Sequence, residues 1–401
     1  MKQYHFFGIF SLLFLILVSC EKSLELSISS KEVIFDAYSD ETQTIDISAN
    51  VAWTAMVKQT GGWLTIDPMQ WKGSTTITLT ADENAEFTDR TALIIISGDG
   101  IPADTIMVLQ TAGIDVAEEI EDETFKKYCL YEFDRFPKDN KLSLKEVKGV
   151  KTINVKRLKI ASFAGIKYFK NLEVLDCSEN LLKSIDISKN KELLVLDCSY
   201  NPMPKIDVSE NVKLTDLILK DMGLTGIDLR QNTALRKLEI FNNPITNLDV
   251  NNNKELEYLN CNETQLAKLE VNTNTRLKSL FCVNNKCTVL DVNQNVLLEI
   301  LCCDNNSLGS LDVRQNPELK ILTCAGNRLD RLDVSKNVKL IQLYCERNNL
   351  TGSINLTINK SLEAFDFRKN PLLNTIVIWQ GFRPDNDVHL IDTPPTTYQY
   401  Q

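Results

Sequence analysis

Leucine keeps a fixed beat along the second half of the chain. Leu172, Leu193, Leu214, Leu235, Leu256, Leu277, Leu298, Leu319 and Leu340 stand twenty-one residues apart, and Leu362 follows at twenty-two, after an extra residue around Gly352. Three positions later Leu175, Leu196, Leu217, Leu238, Leu259, Leu280, Leu301, Leu322 and Leu343 repeat the beat, with Phe365 in the tenth place. A period of this length signals one small unit stacked on copies of itself, each covering an apolar face that its neighbour cannot bury alone. The pattern predicts a mainly β solenoid of ten repeats over residues 171–378, with one short inner strand per repeat.

Other rows run in step with the leucines. Asn180, Asn201, Asn243, Asn285, Asn306, Asn327, Asn348 and Asn370 hold one position, where their amides would satisfy backbone groups at each turn of the coil. A second asparagine row runs from Asn190 to Asn359. Cys177, Cys198, Cys261, Cys282, Cys303, Cys324 and Cys345 share a place that Leu219, Ile240 and Phe367 take elsewhere. Exchange with apolar residues marks this as a core position, and a row of parallel side chains neither converges on a metal nor suits disulfide geometry, so buried free thiols are expected. Asp186, Asp207, Asp228, Asp249, Glu270, Asp291, Asp312 and Asp333 form an acidic row that reads as outward turn caps rather than catalytic carboxylates. A unit such as Leu172-Glu173-Val174-Leu175-Asp176-Cys177-Ser178-Glu179-Asn180 resembles the leucine-rich repeats, and its length is internalin-like. That resemblance spans about half the chain and implies a solenoid that binds a ligand.

Side chains alternate along a strand, so the residues flanking each inward Leu point outward onto the concave face. There the chain changes character. The first repeats offer Asp176, Ser178, Asp197 and Ser199, whereas later ones offer Phe241, Tyr258, Phe281, Ile300, Ile321 and Tyr344. Aromatic and aliphatic side chains gain nothing on a solvent-facing strand unless a partner covers them, which makes these residues the expected ligand-binding site for a protein partner. Strand propensity alone is the competing explanation for aromatics in these places.

Residues 24–113 follow a different rhythm. Short alternating runs such as Thr44-Ile45-Asp46-Ile47-Ser48 and Ala92 to Ile96, separated by Gly, Asn and Asp turns, predict a β-sandwich. Trp53, Trp63-Leu64, Pro68, Gly73, Asn84, Arg90 and the closing Val108-Leu109-Gln110-Thr111-Ala112-Gly113 resemble the BACON domain, an immunoglobulin-like module of surface lipoproteins and glycan-degrading proteins of Gram-negative gut bacteria. The resemblance implies a spacer or a carbohydrate-binding module. Trp53 and Trp63 read as core packing, and Trp71, followed by Lys72-Gly73, as the exposed candidate for sugar stacking.

Residues 114–170 read as a linker and N-terminal cap. Phe125, Cys129, Leu130 and Phe133 fall on one face of a short helix, and Asp139-Asn140-Lys141-Leu142-Ser143 with Glu146 echoes the second half of an EF-hand loop. Arg135 and Pro137 stand where the first half needs carboxylates, and Asp134 is one residue out of register, so no metal is assigned. Residues 379–401 lack the repeat and are expected to cap the last coil.

At the N-terminus, Lys2 precedes an apolar run from Phe6 to Val18 that fits the hydrophobic region of a signal peptide and is too short for a membrane-spanning helix. Leu17-Val18-Ser19-Cys20 resembles the lipobox of bacterial lipoproteins, which implies that residues 1–19 are removed and Cys20 is lipidated. The net charge of −10 comes without a lysine and arginine cluster, which argues against nucleic acid. Only His5 and His389 are present, so a catalytic Ser-His-Asp or Cys-His arrangement would rest on His389 alone. The expectation is a non-catalytic, cofactor-free lipoprotein, anchored in the outer membrane with its repeats at the cell surface and bound to a host or neighbouring-cell surface protein in adhesion. The alternative is a glycan- or mucin-binding accessory lipoprotein of a polysaccharide-utilisation system.

Overall fold

The computed structural model describes residues 23–37, 42–135, 138–385, 387–392 and 396–401. The chain divides into two compact units, Met1–Ile114 and Asp115–Gln401. The expected signal peptide and Cys20 lie outside the described residues. Among those described, no helix is long and apolar enough to cross a membrane.

The first unit is a pair of sheets. One contains, in spatial order, Leu26–Ile28, Thr42–Ala49, Thr75–Ala81 and Leu64–Asp67; the other Glu32–Phe35, Ile101–Gln110, Arg90–Gly98, Ala52–Lys58 and Gln70–Lys72. Period-two alternation buries Ile45, Ile47, Ile77, Leu79, Ile94, Ile96, Ile106 and Val108 in one core with Phe35, Trp53 and Trp63. Trp53 is 2% exposed, and its Nε1 donates to the Gly73 carbonyl at 3.0 Å. The residues that give this unit its signature form one cluster. Arg90 lies 4.7 Å over the Trp63 ring and donates to Gln110 and to the Asp82 carbonyl, while buried Asn84 donates to the carbonyls of Thr88 and Thr111. Gly113 closes the module because a Cβ there would meet the Asn84 carbonyl oxygen at 2.6 Å.

The second unit begins with a cap. Asp122 accepts the N–H groups of Thr124 and Phe125 and so starts the helix Glu123–Phe133, which buries Phe125 and Cys129. Phe125 packs on Phe163, and Phe133 on Phe169. The EF-hand echo has a structural use: Ser143 and Glu146 form a capping box on the helix Leu144–Lys148, and Glu146 also accepts the Arg135 N–H. Asp134, although out of register, accepts the N–H groups of Asp139 and Asn140.

Every repeat adds one three-residue strand to a parallel sheet, from Val174–Asp176 through Gln342–Tyr344 to Ala364–Asp366. The sheet has twelve strands rather than the ten that the leucine beat predicts. Thr152–Asn154 in the N-terminal cap precedes the first, and His389–Leu390 follows the last. Opposite, Leu372–Ile378 lies between Thr351–Asn355 and Thr397–Tyr400 in a three-stranded parallel sheet, and the extra residue at Gly352 is absorbed by a register shift there.

Asparagine holds each turn to its neighbours. In the first row, Asn201 donates to the carbonyls of Cys177 and Cys198 at 3.0 and 2.9 Å and accepts the Leu182 N–H at 3.0 Å. Thr264 substitutes in that row, its hydroxyl lying 2.9 Å from the Cys261 carbonyl oxygen and 2.6 Å from Asn285 Oδ1, either of which can accept its one proton. Residues just before this row, including Glu179, Tyr200, Glu263 and Arg347, adopt positive φ, a conformation that costs a non-glycine residue roughly 1–2 kcal/mol. In the second row, fully buried Asn295 donates to the carbonyls of Val271 and Asn274 at 2.9 and 2.8 Å. The acidic row instead makes local turns: Asp186, Asp207, Asp249, Asp291 and Asp333 each accept the N–H two residues ahead, and Asp228 and Asp312 also hold Arg230 and Arg314.

Asn295→Ala removes one of the two donors to each of the Val271 and Asn274 carbonyls, which keep the N–H groups of Asn274 and Leu277, and a loss of roughly 1–3 kcal/mol is expected. Asp291→Ala, at an exposed turn, costs under about 1 kcal/mol. Urea midpoints of the two variants measure the difference.

Candidate functional site

The solvent-facing side of the repeat sheet is built from three lanes. Most strands bury their central Leu and leave the residues on either side half-buried, as in Tyr258-Leu259-Asn260 and Ile321-Leu322-Thr323, whereas Glu239, Ala364 and Asp366 are buried. A third lane follows the cysteine row. Parallel pairing at constant register sets each lane residue beside its equivalent in the next repeat.

Five of the six expected contact residues share the first two lanes. Tyr258, Ile300 and Ile321 lie in the lane before the central Leu, with Ile300 directly beside Ile321. Phe281 and Tyr344 lie in the lane after it, separated by Cys302 and Thr323. The rings of Tyr258 and Phe281 meet across the lanes at 5.4 Å between centroids. Phe241 stands apart in the third lane, where the Lys220 ammonium lies 5.5 Å from its ring centre.

Charges on this face follow a rule that single positions in the sequence do not disclose. Its cations are already engaged: Lys220 and Lys237 both close on Glu239 at 2.6 and 2.7 Å, and Arg368 grips Asp366 at 2.6 Å. Paired lysines hold the Glu239 carboxyl below its ordinary range even though burial opposes them. Asp304 and Glu346 in the third lane differ. Asp304 accepts from Thr323 and from the Ala325 N–H, and one Glu346 oxygen is buried without a partner. Burial pushes both carboxyls above the usual range, and for Glu346 the neighbouring Asp366 and Asp304 add to it. The sequence reading missed these two residues because their isolation depends on what stacks beside them.

The remaining chemistry is structural. The seven thiols of the cysteine row are buried and free, and Cys177 and Cys198 approach at 3.4 Å between sulfurs without a bond. Burial pushes the Cys261 and Cys282 thiols far up, which keeps them from the reactive thiolate form. Cys302, outside that row, is half-exposed on the solvent-facing side of the sheet beside Phe281. His389 is sandwiched 4.9 Å from both Phe365 and Phe382, and its Nδ1 accepts the Asp385 N–H. Burial lowers its pKa, and it serves as packing for the C-terminal end. Among the described residues no cluster of three or more His, Cys, Asp or Glu is placed to hold a metal ion.

In the first unit, Trp71 pairs with Trp53 across neighbouring strands but turns outward, 53% exposed. It borders an open groove of about 410 Å³ lined also by Thr54, Gln70, Lys72, Ser97 and Asp99.

Residues 25–113 match the family described as the viral BACON domain. No curated protein matches the chain. Among solved structures, the functional domain of InlJ from Listeria monocytogenes, which includes a cysteine ladder, is 27% identical. The match covers 71% of this chain and 70% of that one, with a TM-score of 0.56. Two further internalins of Listeria monocytogenes are more distant. InlF is 18% identical over 71% of this chain and 94% of its own, with a TM-score of 0.43, and internalin C2 is 16% identical over 57% and 95%, with a TM-score of 0.46. The chain therefore combines a BACON domain with an internalin-like leucine-rich-repeat solenoid, a mainly β architecture.

Among the solenoid cysteines, N-ethylmaleimide is expected to label Cys302 first in the native protein, since reactivity requires access. Peptide mapping after short exposure checks this. Labelling of the buried row at an equal rate would contradict the described burial.

Proposed function

We propose that the protein is a non-catalytic lipoprotein of the cell envelope that binds a protein partner on the solvent-facing side of its repeat sheet. Cys20 carries the lipid, which holds the protein in the outer membrane, and the repeats face the cell's surroundings. The observation that carries this reading is the stripe of Tyr258, Phe281, Ile300, Ile321 and Tyr344. Regular pairing gathers these side chains on two neighbouring lanes of a face that the protein's own chain leaves half-open, with Ile300 beside Ile321 and the rings of Tyr258 and Phe281 in contact. Interfaces are enriched in aromatic side chains, and covering such a stripe removes apolar area from water at about 25 cal/mol per Å². The likeness to the InlJ domain supports a surface-interaction role, and the carboxylates of the acidic row accept the N–H groups of their own turns.

Affinity capture from neighbouring-cell and host surface proteins, followed by titration of whatever is retained, tests the site. The double substitution F281S/Y344S removes two anchors at half-open positions and is expected to weaken binding at least about tenfold, the effect of losing aromatic hot spots. Undiminished binding by a variant with an unchanged melting curve would remove the stripe from the interface.

A second reading, a glycan- or mucin-binding accessory of a polysaccharide-utilisation system, draws on Trp71. An exposed indole beside a groove with Gln70, Thr54 and Asp99 offers an apolar platform next to hydrogen-bonding groups, the pairing that a sugar ring requires. On this reading mucin glycans shift tryptophan emission, and W71A abolishes the shift. A response that survives W71A places any sugar elsewhere.

A further inference from the structure

The face that carries the apolar stripe has an imbalance of charge as well as of polarity. Lys220, Lys237 and Arg368 are all tied to carboxylates of the same face, so it presents no free cation among the described residues of its three lanes. Carboxylates remain over. Asp176 and Asp197 at the polar end accept from their neighbouring serines' N–H groups, and Asp304 and Glu346 stand beside the apolar end without an ion-pair partner.

The latter two have a specific setting. Asp304, Ala325 and Glu346 are successive members of the third lane, aligned by the backbone bonds from Asn305 to Ala325 and from Gly326 to Glu346. At the usual strand spacing their backbones are about 10 Å apart. The residue between them, Ala325, has only a methyl group and is 9% exposed, with its N–H donating to the Asp304 carboxylate at 2.7 Å, so the two carboxylates flank a small, buried side chain. In the same repeats the lane before the central Leu holds Ile300, Ile321 and Gln342, and the lane after it Cys302, Thr323 and Tyr344. Across one stretch of sheet, a largely apolar strip therefore runs alongside two carboxylates.

Taking this face as the binding face, as proposed above, we infer that the occupant is a basic, amphipathic protein segment. Its large apolar side chains cover the stripe, and one lysine or arginine pairs with Asp304 and Glu346 in the third lane. A cation there supplies the missing partner of the buried Glu346 oxygen and offsets the mutual repulsion of the carboxylates, both of which burial already disfavours in their charged form. An acidic or neutral occupant would bury these carboxylates further without compensation, which is costly. Arg347, on the exposed turn next to Glu346, is the cation closest in sequence, and its attraction is the weakest of the influences on that carboxyl.

The test is selection of a phage-displayed library of random twelve-residue peptides on the immobilised full-length protein, followed by titration of the enriched peptides. Peptides combining lysine or arginine with at least two large apolar residues are expected. The near-isosteric double substitution D304N/E346Q is expected to weaken them at least about tenfold, as loss of a charge-assisted contact does. Raising salt is expected to weaken binding to the parent more than to this variant. A melting temperature no lower than the parent's verifies that D304N/E346Q is folded. Enrichment of acidic or neutral peptides, or of none above blank support, overturns the inference, as does binding indifferent to D304N/E346Q. If peptides indifferent to D304N/E346Q are still lost on F281S/Y344S, the cation seat fails and the stripe stands. If they also survive F281S/Y344S, the stripe itself is not the binding face.

Discussion

A coil whose turns are closed off from water must satisfy its own backbone, and in this protein asparagine does so across repeat boundaries. Each ladder amide spans two coils: Asn201 holds the carbonyls of Cys177 and Cys198, and Asn211 those of Ile187 and Asn190. Each net hydrogen bond contributes about 0.5–1.5 kcal/mol, and the Ile187 and Asn190 carbonyls, which also accept the N–H groups of Asn190 and Leu193, gain this second donor only if the next repeat delivers its amide in register. That requirement explains the rigid period of twenty-one. It also explains why the one insertion falls at Gly352, in a strand on the opposite side where a register shift is absorbed, and not in the repeat sheet. The left-handed turn residues are tolerated for the same reason, since the bonds that flank them hold the backbone in place.

With the coil fixed by Leu, Asn and the cysteine row, the positions on the sheet side that remain free to vary without disturbing the stack are the flanking residues of each strand and the third lane. Their composition changes along the solenoid while the core does not. The cysteines belong to the first category. A thiol is small and apolar enough to sit in a column with neighbours one strand spacing away, and where the column is broken by Leu219, Ile240 or Phe367 the packing continues with larger hydrophobes.

Legibility in the sequence follows the range of the interaction. The leucine beat, the asparagine rows and the burial of the cysteines could be read because each is a property of one position repeated. The outward lanes were readable from alternation, and Phe281 and Tyr344 lie on them. Strands without the beat were not visible: Thr152–Asn154 and His389–Leu390 join the sheet because of what they lie beside. Glu146 looked like the end of a calcium loop, yet the same spacing from Ser143 makes a capping box, and the structure spends its oxygens on N–H groups. Ion pairing on the face was hidden for a similar reason. Lys220 and Glu239 belong to different repeats and meet only once the coils stack.

That last point bears on what an exposed face can select. An apolar stripe alone favours many partners, because burial of area is indifferent to sequence. Self-neutralised pairs such as Lys220 and Lys237 on Glu239 add little attraction, yet they penalise an occupant that would strip their water without replacing it. Unpaired, partly buried carboxylates act more sharply, since they reject anions and reward a cation at one place along the sheet. Asp304 and Glu346 are held there by a backbone that cannot relax without breaking the asparagine ladder beside it, at Asn306, Asn327 and Asn348. The rigidity that lets the repeats fold is thus what keeps an unfavourable charge arrangement in place, ready for a partner to relieve it.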